Sequence, residues 1–181
     1  MNRAADVRIE TDRLILRPTA PEDFEPWAAF MADDASKFVG GPQARSTAWR
    51  GFLSMAGAWA IQGYAMFSVI EKSSGRWVGR LGPWVPEGWP GTEVGWGLVR
   101  EAWGKGYATE GSTAAIDWAF DRLGWTNVIH CIASDNAPSQ AVARRLGSSL
   151  LRSTYLPAPF ETMAVDVWGQ TREQWRGRSR G

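Results

Sequence analysis

Residues Glu93–Gly111, "EVGWGLVREAWGKGYATEG", put five glycines and two tryptophans into nineteen positions. Glycine inside a strand or helix costs backbone entropy and offers nothing to pack, so the stretch must gain something by being bare. Its first half, "EVGWGLV", reads as a strand ending near Val99, and a helix begins near Gly106. The loop "REAWGKG" turns the chain between them. A strand, a glycine loop and a helix in that order leave backbone N–H groups unpaired at the positive end of the helix, which is an anion site. With no side chain at Gly104 or Gly106, a phosphate can approach the backbone closely. The pattern is not a Walker A loop, because Lys105 is not followed by Ser or Thr. It is not a dinucleotide fingerprint either, since neither Gly95-x-Gly97 nor Gly104-x-Gly106 has the third glycine.

Working outward, "VRIETDRLILRP" alternates Ile9, Leu14 and Leu16 with polar residues and reads as a first strand. "APEDFEPWAAFMAD" opens with Pro21 and acids, which start a helix. "TAWRGFLSMAGAWAIQG" spaces Trp49, Phe52, Leu53, Ala56 and Ala60 as an amphipathic helix does. "YAMFSVIEKSSGRWVGRLGPWV" reads as two strands around the turn "KSSG". Beyond the helix over residues 106–122, "NVIHCIAS" is a strand apolar enough to be buried on both faces. "NAPSQAVARRLG" is a short helix with Asp135 or Asn136 as its cap and Gly147 as its stop. Two weaker strands follow near 148–155 and 161–168. The absence of repeats and linkers predicts one α+β domain over residues 1–168 with a mostly antiparallel sheet. Residues 169–181, "GQTREQWRGRSRG" from Gly169 onward, read as a polar, Arg-rich and mobile tail.

Composition narrows the function. The 181 residues suffice for one well-buried core. With 20 Lys+Arg against 19 Asp+Glu, no bulk charge draws the chain to nucleic acid or to a membrane surface. One Cys (Cys131) and one His (His130) allow no internal disulfide and no zinc site of the usual Cys/His kind, so no metal is expected. The start, "MNRAADVRIE", has no apolar run of a signal peptide, and no stretch approaches a membrane span, so a cytoplasmic protein is expected. Twelve Trp are an excess. Most should be core, while Trp84 and Trp89, in "GPWVPEGWPG", are candidates for the wall of an acceptor pocket. The same excess leaves room for an aromatic patch on which a second copy would form a homodimer.

"WGKGYATEG" resembles the acetyl-coenzyme A loop of the GNAT superfamily of N-acetyltransferases, Gln/Arg-x-x-Gly-x-Gly/Ala, with Trp103, Gly106 and Ala108 at the three marked places. Trp in the first place, "IETDRLILRPTAPED" near the start, and "DNAPSQAVARRLG" resemble the branch of ribosomal-protein N-terminal acetyltransferases. The three matches stand in the family's order and span roughly residues 8–168. The resemblance implies a mixed, mostly antiparallel central sheet of six to seven strands flanked by about four helices. It implies that the backbone of Trp103, Gly104, Lys105, Gly106, Tyr107 and Ala108 holds the pyrophosphate of acetyl-CoA. The edge at Gly97, Leu98 and Val99 would pair with the pantetheine arm, with Asn136 and Ser139 beside the arm and its thiol. Gly95 and Gly97 can mark a bulge or that ligand edge, and Asn136 can be a helix cap, a contact, or both.

The implied chemistry is direct acyl transfer. A neutral amine attacks the thioester, an oxyanion develops and a thiolate leaves. Glu93 stands where the family has its candidate base, and Ser139 where this branch has a residue proposed to protonate sulfur. The Tyr that many members use for the latter would fall at Ala143 and is absent, so a hydrogen bond from Ser139 to sulfur is the safer role. A Lys amine of pKa ~10.4 is neutral about one part in a thousand near pH 7.5, whereas an α-amine at ~7.7–8.0 is about a third neutral. With one carboxylate as the visible base, the α-amine of a protein or peptide N-terminus is the expected acceptor. A small amine such as an amino acid, polyamine or antibiotic, and a catalytically silent acyl-CoA-binding module, are the alternatives.

Overall fold

The computed structural model describes residues 7–178. The signal-peptide reading of the first residues, at positions 1–6, lies outside them.

The expected first strand is two. Thr11 and Asp12 turn the chain between β1 (Ile9–Glu10) and β2 (Leu14–Arg17), which pair antiparallel. The Thr11 N–H donates to Leu14 O, and the Leu14 N–H donates to Thr11 Oγ1, each at 3.0 Å. This split raises the strand count to eight, above the six to seven expected. The chain continues through α1 (Phe24–Ala32), α2 (Arg45–Gln62), β3 (Phe67–Glu71), β4 (Trp77–Trp84) and β5 (Glu93–Leu98). After β5 come α3 (Tyr107–Arg122), β6 (Asn127–Ile132), α4 (Ala137–Arg145), β7 (Ser149–Tyr155), β8 (Ala164–Thr171) and α5 (Arg172–Gly177). One sheet runs β1-β2-β3-β4-β5-β6-β8-β7, antiparallel throughout except where β5 meets β6. The mixed α+β class is as expected.

Successive residues of a strand face opposite sides of the sheet, and β4 uses both. Leu81 lies against Gly111 of α3, where a Cβ would meet its side chain at 2.5 Å, so that glycine lets helix and sheet pack closely. Arg80, one residue earlier, faces α1, with its guanidinium 4.8 Å from the Trp27 ring. Helices therefore cover both faces, and the core is continuous around Leu14, Leu16, Phe67, Leu81 and Ile116, all fully buried. The start of α1 is fixed by a buried carboxylate. Asp23 accepts from both terminal nitrogens of Arg17 (2.7 and 2.8 Å), from Ser68 Oγ (2.7 Å) and from the Ala20 N–H (2.9 Å).

The tail expected from 169 onward is, over residues 169–177, part of the fold. β8 runs through the supposed boundary to Thr171, and α5 follows directly. Thr171 and Gln174 cap each other at the helix start, with 3.1 and 2.8 Å bonds. Trp175 is 1% exposed, packs toward Phe120 and donates to Asp117 Oδ1 at 2.7 Å. One buried indole outweighs the polar composition that suggested mobility. The rest of that tail reading, at 179–181, lies outside the described residues.

Candidate active site

β5 and β6 share one register pair, Glu93 with Ile129, although each strand has six residues. Thr92 clasps them at that end, its hydroxyl donating to Asn127 O at 2.7 Å. Beyond it the strands part, and two side chains complete the backbone bonds that the ladder would have made. Glu93 Oε1 accepts the Cys131 N–H at 2.9 Å, and His130 Nδ1 donates to Val94 O at 2.7 Å. A carbonyl only accepts, so Nδ1 carries the His130 proton and Nε2 accepts from the Ser148 hydroxyl at 3.0 Å. Burial pushes the His130 pKa down to about 4, opposed by its bond to the Val94 carbonyl. His130 is thus a neutral seam residue. Burial, with Glu93 adjacent, pushes the Cys131 thiol well up, out of the range of a reactive thiolate.

Glu93 is 5% exposed at the floor of a cleft of about 400 Å³. Its second oxygen accepts from the Trp89 indole N–H. Burial raises its pKa from 4.5 to about 7, and the bonds from Cys131 and Trp89 and the charge of Arg80 oppose that rise. A carboxylate titrating near 7 with lone pairs left over is suited to take a proton from an amine. Trp84 and Trp89 line the same cleft, together with Met31, Phe38 and Phe160.

At the other end of β5 the chain makes a single 3-10 turn at Arg100–Ala102 and enters α3 through two left-handed glycines. Gly104 has φ +72° and Gly106 has φ +79°. Side-chain-bearing residues rarely adopt such values, so backbone conformation explains both glycines. Gly106 is the N-cap of α3 and no side chain caps the helix, which leaves its first N–H groups directed at the loop. The loop is exposed from Trp103 to Gly106. Arg13, in the β1–β2 turn, pins it from outside, donating to Lys105 O at 2.8 Å and pairing with Glu110 at 2.6 Å. Lys105 itself turns to Glu71, 3.5 Å away.

Residues 13–149 match the Acetyltransferase (GNAT) domain. The chain belongs to this acetyltransferase family. No curated protein sequence matches it. Among solved structures it resembles an acetyltransferase from Agrobacterium tumefaciens strain C58, at 30% identity and TM-score 0.81, over 91% of this chain and 94% of that one. RimJ of Mycobacterium smegmatis, in complex with CoA-disulfide, matches at 20% identity and TM-score 0.69, over 92% and 85%. The ribosomal-protein-S5-alanine acetyltransferase of Vibrio fischeri matches at 17% and 0.68, over 94% and 99%. The last two share the fold.

Within this GNAT fold the expected site residues fall into three groups. Glu93, Trp84, Trp89, Asn136 and Ser139 border one cleft. Trp103, Gly104, Lys105, Gly106, Tyr107 and Ala108 form the loop and the start of α3, and Tyr107 is anchored by a 2.7 Å bond to Glu71. Gly97, Leu98 and Val99 lie on or just after β5, but the ladder divides them. The Val99 N–H bonds Val78 O at 3.0 Å, and by alternation Gly97 also turns its backbone to β4, leaving Trp96 and Leu98 to face the gap. The bareness of Gly97 has a packing reason, since a Cβ would press Phe30 and Val39 at 3.3 and 3.4 Å. Asn136 caps α4, accepting the Ser139 N–H at 3.2 Å. Ser139 Oγ accepts from Trp96 Nε1 at 3.2 Å, which leaves its own proton free to donate.

Sequence reasoning missed Trp96, Arg13 and Arg80. Arg13 carried a signal, since it belongs to the Thr-x-Arg-Leu stretch used above only as a family mark. Trp96 and Arg80 carried none, because strand pairing alone brings them to the cleft.

Proposed function

We propose that the chain is an N-acetyltransferase that moves an acetyl group from acetyl-CoA to a primary amine by direct attack on the thioester. The observation that carries the reading is Glu93, a buried carboxylate titrating near 7 at the floor of a cleft that also reaches Ser139. The residues present fit the coenzyme. Two left-handed glycines and an uncapped helix start suit a pyrophosphate. Trp96 with its backbone N–H and carbonyl, and Leu98 with its N–H, face an extended pantetheine arm, while the Leu98 carbonyl is held by the Trp103 indole at 2.9 Å. When bound, acetyl-CoA supplies the electrophilic carbonyl and the thiol leaving group.

The protein's own groups do the rest. Glu93 takes the ammonium proton directly or through a water. Ser139, its oxygen already held by Trp96, donates a hydrogen bond to the departing sulfur. An indole contacts each of them, Trp89 at Glu93 and Trp96 at Ser139. A base near 7 matches an α-amine better than a lysine side chain, which supports the α-amine of a protein or peptide N-terminus as acceptor. A small amine is the second reading, favoured by a cleft volume in the range of small-molecule sites.

Purified protein with acetyl-CoA and a panel of N-terminal peptides and small amines should release free thiol, with kcat/KM rising through about pH 7. Coenzyme binding without thiol release on any amine would favour a silent acyl-CoA-binding module. No coenzyme binding would overturn the reading altogether.

A further inference from the structure

Arg80 is the more buried of the two arginines on the cleft, the other being the exposed Arg50, and acyl transfer leaves it without a task. On β4 it shares a face with Gly82 and Trp84, and their partners on β5 are Gly97, Gly95 and Glu93. Neither Gly82 nor Gly95 puts a side chain between Arg80 and Glu93, and the Met66 methyl lies over Gly95 instead. A guanidinium has five N–H donors, and those of Arg80 are poorly served. Nη1 reaches Met66 Sδ at 3.5 Å, Nη2 reaches Val39 O at 3.3 Å, and the buried Nε has no partner. No carboxylate among the described residues lies within ion-pair distance of it. What surface it keeps lines the cleft. Burial lowers its pKa to about 10, with the charge of Glu93 opposing, so it remains a cation at neutral pH. The Trp27 face gives partial compensation at 4.8 Å. A buried cation short of an anion is a cost that a bound anion would remove.

We propose that Arg80 selects the acceptor by binding a carboxylate carried close to the amine that Glu93 deprotonates. The proposal rests on amine acetylation as the reaction. Met66 shows how near the two groups are. Its sulfur touches Arg80, while its methyl and Glu93 Oε1 lie 2.7 and 3.4 Å from the point where Gly95 lacks a Cβ. Cation and base border one compact space, so amine and carboxylate are a few bonds apart in the acceptor. The carboxylate is either that of a free amino acid or the acidic side chain of a peptide's first residue. The indole walls favour an apolar body beside it.

Thiol release is measured with L-phenylalanine against L-phenylalaninamide, and with peptides beginning in Asp or Glu against Asn or Gln. In one of these arms the acid should exceed its amide in kcat/KM by on the order of 100-fold. That arm identifies the source of the carboxylate. Arg80→Gln should abolish the preference, and Arg80→Lys should keep part of it. Equal rates for acid and amide in both arms, or a preference surviving Arg80→Gln, would overturn the proposal. So would a variant that shifts the pH profiles of acid and amide alike at a constant ratio, since that is Arg80 acting only on Glu93. Calorimetry with N-acetyl-L-phenylalanine, N-acetyl-L-aspartate and their amides decides the matter even if no amine is turned over. Tighter binding of an acid, lost in Arg80→Gln, supports the proposal while acyl transfer alone fails. Equal binding of acid and amide overturns it.

Discussion

Replacing Glu93 by Gln should separate the chemical from the energetic consequence of burying a carboxyl. The folded-state pKa of Glu93 is raised from 4.5 to about 7, chiefly by burial. Such a group holds its proton on folding, so stability falls as pH rises from the unfolded value through the folded one, and levels off above it. Over the whole window the cost is about 3 kcal/mol, most of it falling between pH 5 and pH 8. Glutamine does not titrate and removes this dependence. Its constant offset is adverse, because the amide oxygen can accept the Cys131 N–H while its NH2 then meets the Trp89 N–H. The useful quantity is therefore the change in the stability difference with pH, from which a constant offset cancels. Urea denaturation of both proteins at pH 5, 6, 7 and 8 should show the wild type losing roughly 2–3 kcal/mol relative to Glu93→Gln across the series. Parallel stability profiles would mean that Glu93 is ionised throughout, and the argument for a base titrating near 7 would go with it.

Trp89→Phe removes a donor that holds the Glu93 pKa down, so the rising limb of kcat/KM should move to higher pH by about half a unit to one unit. An unmoved limb would show that the indole does not act on Glu93. Gly106→Val forces a β-branched residue to φ +79° and sets its Cβ 3.4 Å from Arg13 Nη2. Calorimetry should show coenzyme A affinity falling by about 100-fold or more, and unchanged affinity would take the loop out of the phosphate site. Asp23→Asn breaks the paired interaction with Arg17 in a buried setting, with an expected loss near 3 kcal/mol in denaturation experiments.

The parts of the site legible in the sequence are those set by local backbone geometry. Left-handed glycines and a helix start need particular residues at fixed offsets, and Gly104, Gly106 and Asn136 show them. What escaped was set by pairing across the sheet. Nothing near Arg80 in sequence says that Gly97 stands opposite it, or that the Met66 methyl covers Gly95 beside it. Val99 and Gly97 were grouped with Leu98 because sequence shows a strand but not which edge each residue presents. The end of the chain was misread for another reason. Its arginines suggested a tail, although Thr171 and Gln174 form a capping box whose spacing is visible without a structure, and Trp175 supplies the buried anchor.

The seam between β5 and β6 has a consequence for how this protein can change. A single backbone register pair joins the five-strand half of the sheet to the three-strand half, and the Glu93 carboxylate spans the opening just beyond it. The proposed proton acceptor is also a rivet. A substitution that removes both side-chain oxygens, such as Glu93→Ala, frees the Cys131 amide and loosens the junction between the two halves, whereas Gln keeps an oxygen for that amide and turns its NH2 against the Trp89 N–H. Most single steps that remove the base therefore also open the seam, and the architecture leaves glutamine as the replacement that silences the chemistry while keeping the two halves joined.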